Sequence, residues 1–285
     1  MNNRFASILL LTTLLAVSCQ PRAKEDSNNA APANNSSVAA ASPNAGTSTT
    51  VTIVSPDGVN LVGTLFDSAK PNSPALLMLH QWQSDRHSFD DFAKRMQAKG
   101  FNVLSIDGRG FGESTKTSDG KPVTAGRTDT DVKAMLGDVG AAFDFLAKQK
   151  NVDPNHIGIV GASYGSSLAL IYAADNPRVA ALALLSPGLN YFGNMQTQPA
   201  AEKYGKRPMF LIAAEDDKES ADAVRNLAAV NNNGMYGMLV YPNGGHGTAL
   251  FKLSFPNHER PELAESLEWF FTSRFSAAPP QNKQE

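Results

Sequence analysis

Residues 161–165, Gly-Ala-Ser-Tyr-Gly, contain the side chain with the clearest potential for chemistry, Ser163. A β-branched apolar run at 156–160 precedes this segment, and a small-residue apolar run at 167–174 follows it. The pattern predicts a strand, a sharp turn and a helix, with glycines where the turn leaves no room for a side chain. A serine presented there can act as a nucleophile beside the positive end of the helix. Since the spacing occurs by chance in roughly one chain in ten of this length, it needs partners elsewhere.

Three acidic residues, Glu215, Asp216 and Asp217, directly follow the apolar run 209–214. A serine nucleophile needs a base, and that base needs a carboxylate to hold its tautomer and stabilise its charged form. The spacing from the predicted strand favours Asp217 as this carboxylate, with Asp216 as the alternative. Glu215 is expected to lie in solvent.

A histidine follows the last apolar run, 236–241, in the segment Pro-Asn-Gly-Gly-His-Gly. The glycines allow this loop to reach back over the sheet, and the imidazole of His246 can exchange a proton near neutral pH. Serine, acid and histidine then follow one another along the chain in the order of a known catalytic arrangement. Three other histidines stand in less suitable places: His87 in a helix, His156 at a strand start and His258 in a polar loop.

The segment His80-Gln81-Trp82 follows an apolar run at 75–79, where a loop can offer backbone N–H groups to an oxyanion. We assign one such donor to Trp82, with Gln81 as the alternative, and the second to Tyr164, which follows the nucleophile. The position of His80 at the end of a strand predicts a buried structural residue.

Eight apolar runs predict strands at 51–54, 59–66, 75–80, 101–107, 156–160, 180–185, 209–214 and 236–241. Helical spacing or composition predicts helices at 86–99, 131–150, 167–174, 220–230 and 260–271. The first two strands form a hairpin, and strands and helices then alternate. The expected fold is therefore α/β, with a mostly parallel eight-stranded sheet and helices on both faces. Sites in such sheets form at the carboxyl ends of strands, where the candidate residues stand.

Residues 1–19 resemble a bacterial lipoprotein signal peptide, with a positively charged start, an apolar run at 5–17 and Cys19 at the end. The resemblance implies that Cys19 carries a lipid, so that the protein is exported and anchored to a membrane, facing the periplasm or the exterior. The polar composition of residues 20–49 predicts a disordered linker, and residues 277–285 read as a flexible tail. The folded domain is then expected to span residues 50–276.

The remaining composition argues against several classes of partner. The formal net charge is −2 and there is no basic run, which argues against nucleic acid. A single cysteine permits no intrachain disulfide. Because neither a zinc-type cysteine pair nor a phosphate-binding glycine pattern occurs, we expect neither a metal nor an organic cofactor.

These residues together resemble the α/β-hydrolase superfamily over about residues 51–275. The run 107–114, Asp-Gly-Arg-Gly-Phe-Gly-Glu-Ser, matches a family segment that is structural near the site, so Asp107 and Arg109 receive no chemical role. In the oxyanion loop, Gln81 stands where the family usually has glycine.

The connection after the predicted strand 180–185 is short, and no separate cap domain is expected there. In this respect the chain is similar to the dienelactone-hydrolase-like and small carboxylesterase branches of the superfamily. Tyr191, Phe192 and Met195 in this connection either line an apolar rim over the site or pack as a surface loop.

The resemblance implies a serine hydrolase that cleaves carboxylic esters of small substrates through Ser163, His246 and Asp217, with an acyl-enzyme intermediate. The alternatives are a peptidase or thioesterase on the same scaffold, and a non-catalytic tethered binding lipoprotein. Retention of serine, histidine and an acidic partner favours the enzyme, and the absence of a predicted cap favours esters over peptides.

Overall fold

The computed structural model describes residues 46–230, 236–255 and 259–275. The strands are β1 (Ser48–Val54), β2 (Asn60–Phe66), β3 (Ser73–Leu79), β4 (Asn102–Ile106), β5 (Val152–Ala162), β6 (Val179–Leu185), β7 (Asn190–Tyr191), β8 (Met195–Gln196), β9 (Met209–Ala214) and β10 (Tyr236–Tyr241). The α-helices are α1 (Asp90–Ala98), α2 (Asp129–Ala147), α3 (Tyr164–Asp175), α4 (Thr197–Tyr204), α5 (Lys218–Val230) and α6 (Leu263–Phe275). Two 3₁₀ turns cover Arg86–Phe89 and Gly247–Lys252.

Eight of these strands form one sheet in the order β1-β2-β4-β3-β5-β6-β9-β10. β1 and β2 form the expected antiparallel hairpin, β2 is antiparallel to β4, and the other neighbours are parallel. At the centre of the sheet, Leu77 pairs with Leu104 on one side and Ile159 on the other. The predicted mostly parallel eight-stranded sheet is confirmed.

The two faces of the sheet bury separate cores because successive strand side chains point to opposite sides. Along β3, Leu77 and Leu79 belong to the core under α2, α3, α4 and α5. Leu76 and Met78 belong to the core under α1 and α6. The predicted helices on both faces are therefore confirmed.

The connection from β6 to β9 contains more structure than the sequence predicted. A two-stranded hairpin, β7–β8, precedes helix α4, which packs against α3 and α5. The buried stripe of α4 consists of Thr197, Ala200, Ala201 and Tyr204, whose spacing is helical but whose members are mostly small. Such a stripe gives a weak periodic signal, so tertiary packing decides the helix. Within the described ranges, no separate domain stands in this connection.

Strand β1 begins two residues inside the segment that the sequence assigned to the linker, since Ser48 pairs with Phe66 and Thr49 with Leu65. Several predicted segments lie outside the described residues: the signal peptide 1–19 with Cys19, most of the linker 20–49 and the tail 277–285. None of the helices in the described part of the chain is long and apolar enough to cross a membrane.

Ion pairs made by two buried arginines, Arg86 and Arg109, fix the loops at the carboxyl end of the sheet. Arg86 binds the fully buried carboxylate of Asp107 through both its backbone N–H and its guanidinium. Arg109 binds Asp57 of the β1–β2 turn and Asp138 of α2, with N···O distances of 2.6–2.9 Å. Asp107 and Arg109 thus make the structural contacts that the sequence led us to expect.

Candidate active site

Ser163 lies in a strained turn between β5 and α3, with φ 54° and ψ −126°. Its two glycine neighbours allow backbone segments to pack at distances that no side chain would tolerate. A Cβ at Gly161 would lie 2.4 Å from the carbonyl oxygen of Gly165, and a Cβ at Gly165 would lie 2.6 Å from those of Leu79 and His80. The glycines therefore bring α3 against the end of β3 and hold the serine at the carboxyl edge of the sheet.

The structure brings Ser163, His246 and Asp217 together in one hydrogen-bonded chain. His246 Nε2 lies 2.7 Å from Ser163 Oγ, and His246 Nδ1 lies 2.7 Å from Asp217 Oδ2. Ser163 is 6 % exposed, whereas the imidazole of His246 is 41 % exposed. A buried hydroxyl thus meets an imidazole that solvent can reach.

The surroundings of Asp217 favour the ionised form of its carboxylate. Burial favours its neutral form, but hydrogen bonds from His246, Ser220 and Ser186 outweigh burial and hold the pKa of Asp217 below its usual value. Because an ionised carboxylate can only accept, Nδ1 of His246 carries the proton. Nε2 is then free to accept the hydroxyl proton of Ser163.

The neighbouring Asp216 serves a different contact. Its carboxylate accepts the backbone N–H groups of Gly244 and Gly245, each at 3.1 Å, in the loop that carries His246. Of the two aspartates left open by the sequence, only Asp217 therefore contacts the imidazole, and Asp216 fixes the loop.

Two further side chains, not singled out by sequence reasoning for this purpose, hold the loop just beyond His246. Ser186 Oγ accepts the N–H of Gly247 at 2.9 Å, and Gln81 Oε1 accepts the N–H of Thr248 at 2.8 Å. Ser186 directly follows β6, is completely buried and has φ 48°, a left-handed conformation. Its place at a strand end is the signal that could have identified it.

The backbone N–H groups of Trp82 and Tyr164, which the sequence predicts as oxyanion donors, are unpaired in the described part of the chain. Tyr164 begins α3, and neither its N–H nor the N–H groups of Gln81 and Trp82 have an acceptor among the described residues. The indole of Trp82 packs edge-on against the ring of Tyr164, with centroids 5.3 Å apart. This contact ties the loop after β3 to the start of α3.

His80 is the buried structural residue that its position predicted. Its Nε2 accepts the N–H of Gly108 at 2.8 Å, so Nδ1 carries the proton and donates to the carbonyl oxygen of Gln81 at 2.7 Å. Burial lowers the pKa of His80, which keeps the imidazole neutral. Both nitrogens are occupied by backbone.

The half-buried side chain of Tyr191 lies close to Ser163. The hydroxyl of Tyr191 donates to the carbonyl oxygen of Ser186 at 3.0 Å. Burial raises the pKa of Tyr191, and hydrogen bonding with Ser163 and Ser220 opposes that rise. Tyr191 thus stands beside Ser163, whereas Met195 is completely buried and does not line a rim.

The guanidinium of Arg127 lies over two aromatic rings, those of Trp82 and Phe192. The guanidinium carbon of Arg127 lies 4.8 Å from the ring centre of Trp82 and 5.0 Å from that of Phe192.

Among residues 46–230, 236–255 and 259–275, no three histidine, cysteine or acidic side chains group in a way that could hold a metal ion.

We predict that Gly165→Ala lowers the free energy of unfolding by about 3 kcal/mol, because a Cβ there would collide with backbone that cannot move aside. The matched control is Gly137→Ala on α2, where the nearest atom to an added Cβ is 3.7 Å away. That change should stabilise the helix by about 0.5–1 kcal/mol. Urea unfolding measures both, and equal effects would contradict the packing described for the turn.

Comparison with solved structures supports the architecture. A crystal structure of a dienelactone hydrolase from Anabaena variabilis superposes with a TM-score of 0.59 and 17% identity, over 81% of this chain and 98% of that one. A Pyrococcus furiosus esterase superposes with a TM-score of 0.64 and 18% identity, over 81% of this chain and 94% of that one. At these identities the likeness concerns the fold.

Sequence comparison identifies the family to which this chain belongs. The polyketide transferase grgF of Penicillium sp. is 29% identical over 172 residues, which is 56% of this chain and 55% of that protein. The chain thus spans about half the length of this curated relative. A model described as the dienelactone hydrolase family matches residues 61–270, well over half of the sequence. The chain therefore belongs to the dienelactone hydrolase family.

Proposed function

We propose that this protein is a serine hydrolase that cleaves carboxylic esters of small substrates through an acyl-enzyme intermediate. The observation that carries the proposal is the continuous chain from Asp217 through His246 to Ser163, with both hydrogen bonds at 2.7 Å. Membership of a hydrolase family supports the reaction class. This support for the reaction class is independent of the contacts among Ser163, His246 and Asp217.

The reaction begins when Ser163 Oγ attacks the acyl carbonyl and its proton passes to His246 Nε2. Asp217 stabilises the imidazolium that forms, and the backbone N–H groups of Trp82 and Tyr164 stabilise the oxyanion, each contributing about 3 kcal/mol. His246 then protonates the departing alcohol as its bond to the acyl carbon breaks. Water repeats the sequence on the acyl-enzyme, releasing the acid and restoring Ser163.

Two features favour small esters. Between β6 and β9 the described chain holds only a hairpin and one helix, without a domain that would select a peptide. Tyr191 beside Ser163, and the indole of Trp82 packed on the ring of Tyr164, give the site a partly apolar surface, which suits an acyl or alcohol group of modest size.

A thioester is the second candidate substrate, because the same machinery cleaves it. It is favoured by the 31% identity over 132 residues with a protein from Aspergillus aculeatus named thiohydrolase aneE, of which the chain covers 39%. Measuring kcat/KM for an ester and a thioester with the same acyl group decides between the two.

We predict that Ser163→Ala lowers kcat for a short-chain aryl ester by at least about 10⁴-fold, because the nucleophile is gone while the fold remains. The same change should abolish labelling by a fluorophosphonate probe. Ser167→Ala, one turn along α3, is the matched control and should keep its label. Full hydrolysis by the Ser163 variant would refute the proposal.

We predict that Asp217→Asn lowers kcat by roughly 10⁴-fold, since an amide no longer enforces the productive tautomer of the imidazole. Asp216→Asn retains one acceptor oxygen for the loop N–H groups and should lower kcat by no more than about tenfold. Kinetics of the two purified variants test this assignment, and a reversed order of the two losses would overturn it.

We also propose, from the sequence alone, that the exported protein is anchored to a membrane through a lipid on Cys19. The short apolar run before Cys19 and the polar segment after it support this proposal. Cys19→Ala should move the protein from the membrane to the soluble fraction, with Ser18→Ala as the control. Unchanged fractionation of the cysteine variant would remove the anchor.

A further inference from the structure

The side chain of Gln81 makes a contact across the candidate active site. Its backbone belongs to the loop that supplies an oxyanion donor, directly after β3. Its side chain reaches the loop that carries His246: Oε1 accepts the N–H of Thr248 at 2.8 Å and its hydroxyl at 3.1 Å. These partners lie 167 residues apart in the sequence.

The other side of this contact is shaped to receive the amide. Gly247 has φ 61° and is buried, and a Cβ at this position would lie 2.1 Å from Gln81 Oε1. The approach of Gln81 therefore requires glycine next to the catalytic histidine. Ser186 binds the N–H of Gly247, so the peptide groups on either side of residue 247 are held by different strand ends.

We propose that Gln81 is a positioning residue that couples the oxyanion loop to the His246 loop, a role that rests on the proposed ester hydrolysis. The hydrogen bond links the backbone that must face the oxyanion to the backbone that must aim Nε2 at Ser163. Both placements matter in the transition state, where an error of about 1 Å can cost on the order of 10²-fold in rate. The coupling therefore acts on kcat.

The first test compares two replacements of Gln81 with p-nitrophenyl acetate as the probe. Gln81→Gly, which removes the side-chain acceptor, should lower kcat about 10- to 100-fold and change KM by less than about threefold. Gln81→Glu retains an oxygen acceptor at the same reach and should recover most of kcat. The control is Lys252→Ala, at the end of the 3₁₀ turn Gly247–Lys252 that contains Thr248 and outside the proposed catalytic residues. Its kcat should match that of the unaltered protein.

The second test is a double-mutant cycle between the two loops. Gly247→Ala should lower kcat at least about 100-fold in the unaltered background, because its Cβ collides with Gln81. In the Gln81→Gly background the collision is absent. The fold-loss of kcat caused by Gly247→Ala should therefore be at least about tenfold smaller there than in the unaltered background. Circular dichroism and urea unfolding verify that each variant is folded.

The outcomes separate this proposal from the function on which it rests. If the unaltered protein hydrolyses the ester and labels at Ser163 but Gln81→Gly keeps full kcat, or if the cycle is additive, the positioning role is refuted. A Gln81→Glu variant as slow as Gln81→Gly also overturns it. If the unaltered protein shows neither hydrolysis nor labelling, the proposed function itself fails, and the positioning role fails with it.

Discussion

The hydrogen bond between Ser163 and His246 is the interaction on which the rest of the site depends. Its two residues are 83 positions apart, and only the sheet brings their strands to one edge. A glycine-rich loop has many conformations, and fixing it costs about 1–2 kcal/mol of backbone entropy per residue. Hydrogen bonds from several strand ends offset that cost.

The loop that carries His246 is held from three directions. Asp216, after β9, binds two of its N–H groups; Ser186, after β6, binds a third; and Gln81, after β3, binds a fourth. Each acceptor stands just after the carboxyl end of a strand, so the rigid sheet restricts the conformation of the loop. The imidazole then needs no reorganisation to meet Ser163.

The surroundings of Ser163 combine low solvent exposure with ordered polar contacts. The ring of Trp82 packs edge-on against the ring of Tyr164, and the backbone N–H groups of both residues are without acceptors among the described residues. In the proposed reaction these N–H groups are the oxyanion donors, and a donor in a partly desolvated site stabilises a developing oxyanion more strongly than one in water.

The sequence by itself determined the α/β sheet and the strand ends from which the site is built, because buried strands and glycine turns leave local patterns. It also placed Ser163 and His246, each marked by its glycine neighbours, and favoured Asp217 over Asp216 without excluding either. Only the tertiary structure decided which aspartate reaches the imidazole and which fixes the loop. It also revealed the contacts of Ser186 and Gln81, and the helix α4. The physical reason is that a side chain accepting a distant backbone N–H leaves no periodicity in the sequence: the partner is set by how the strand ends meet in space.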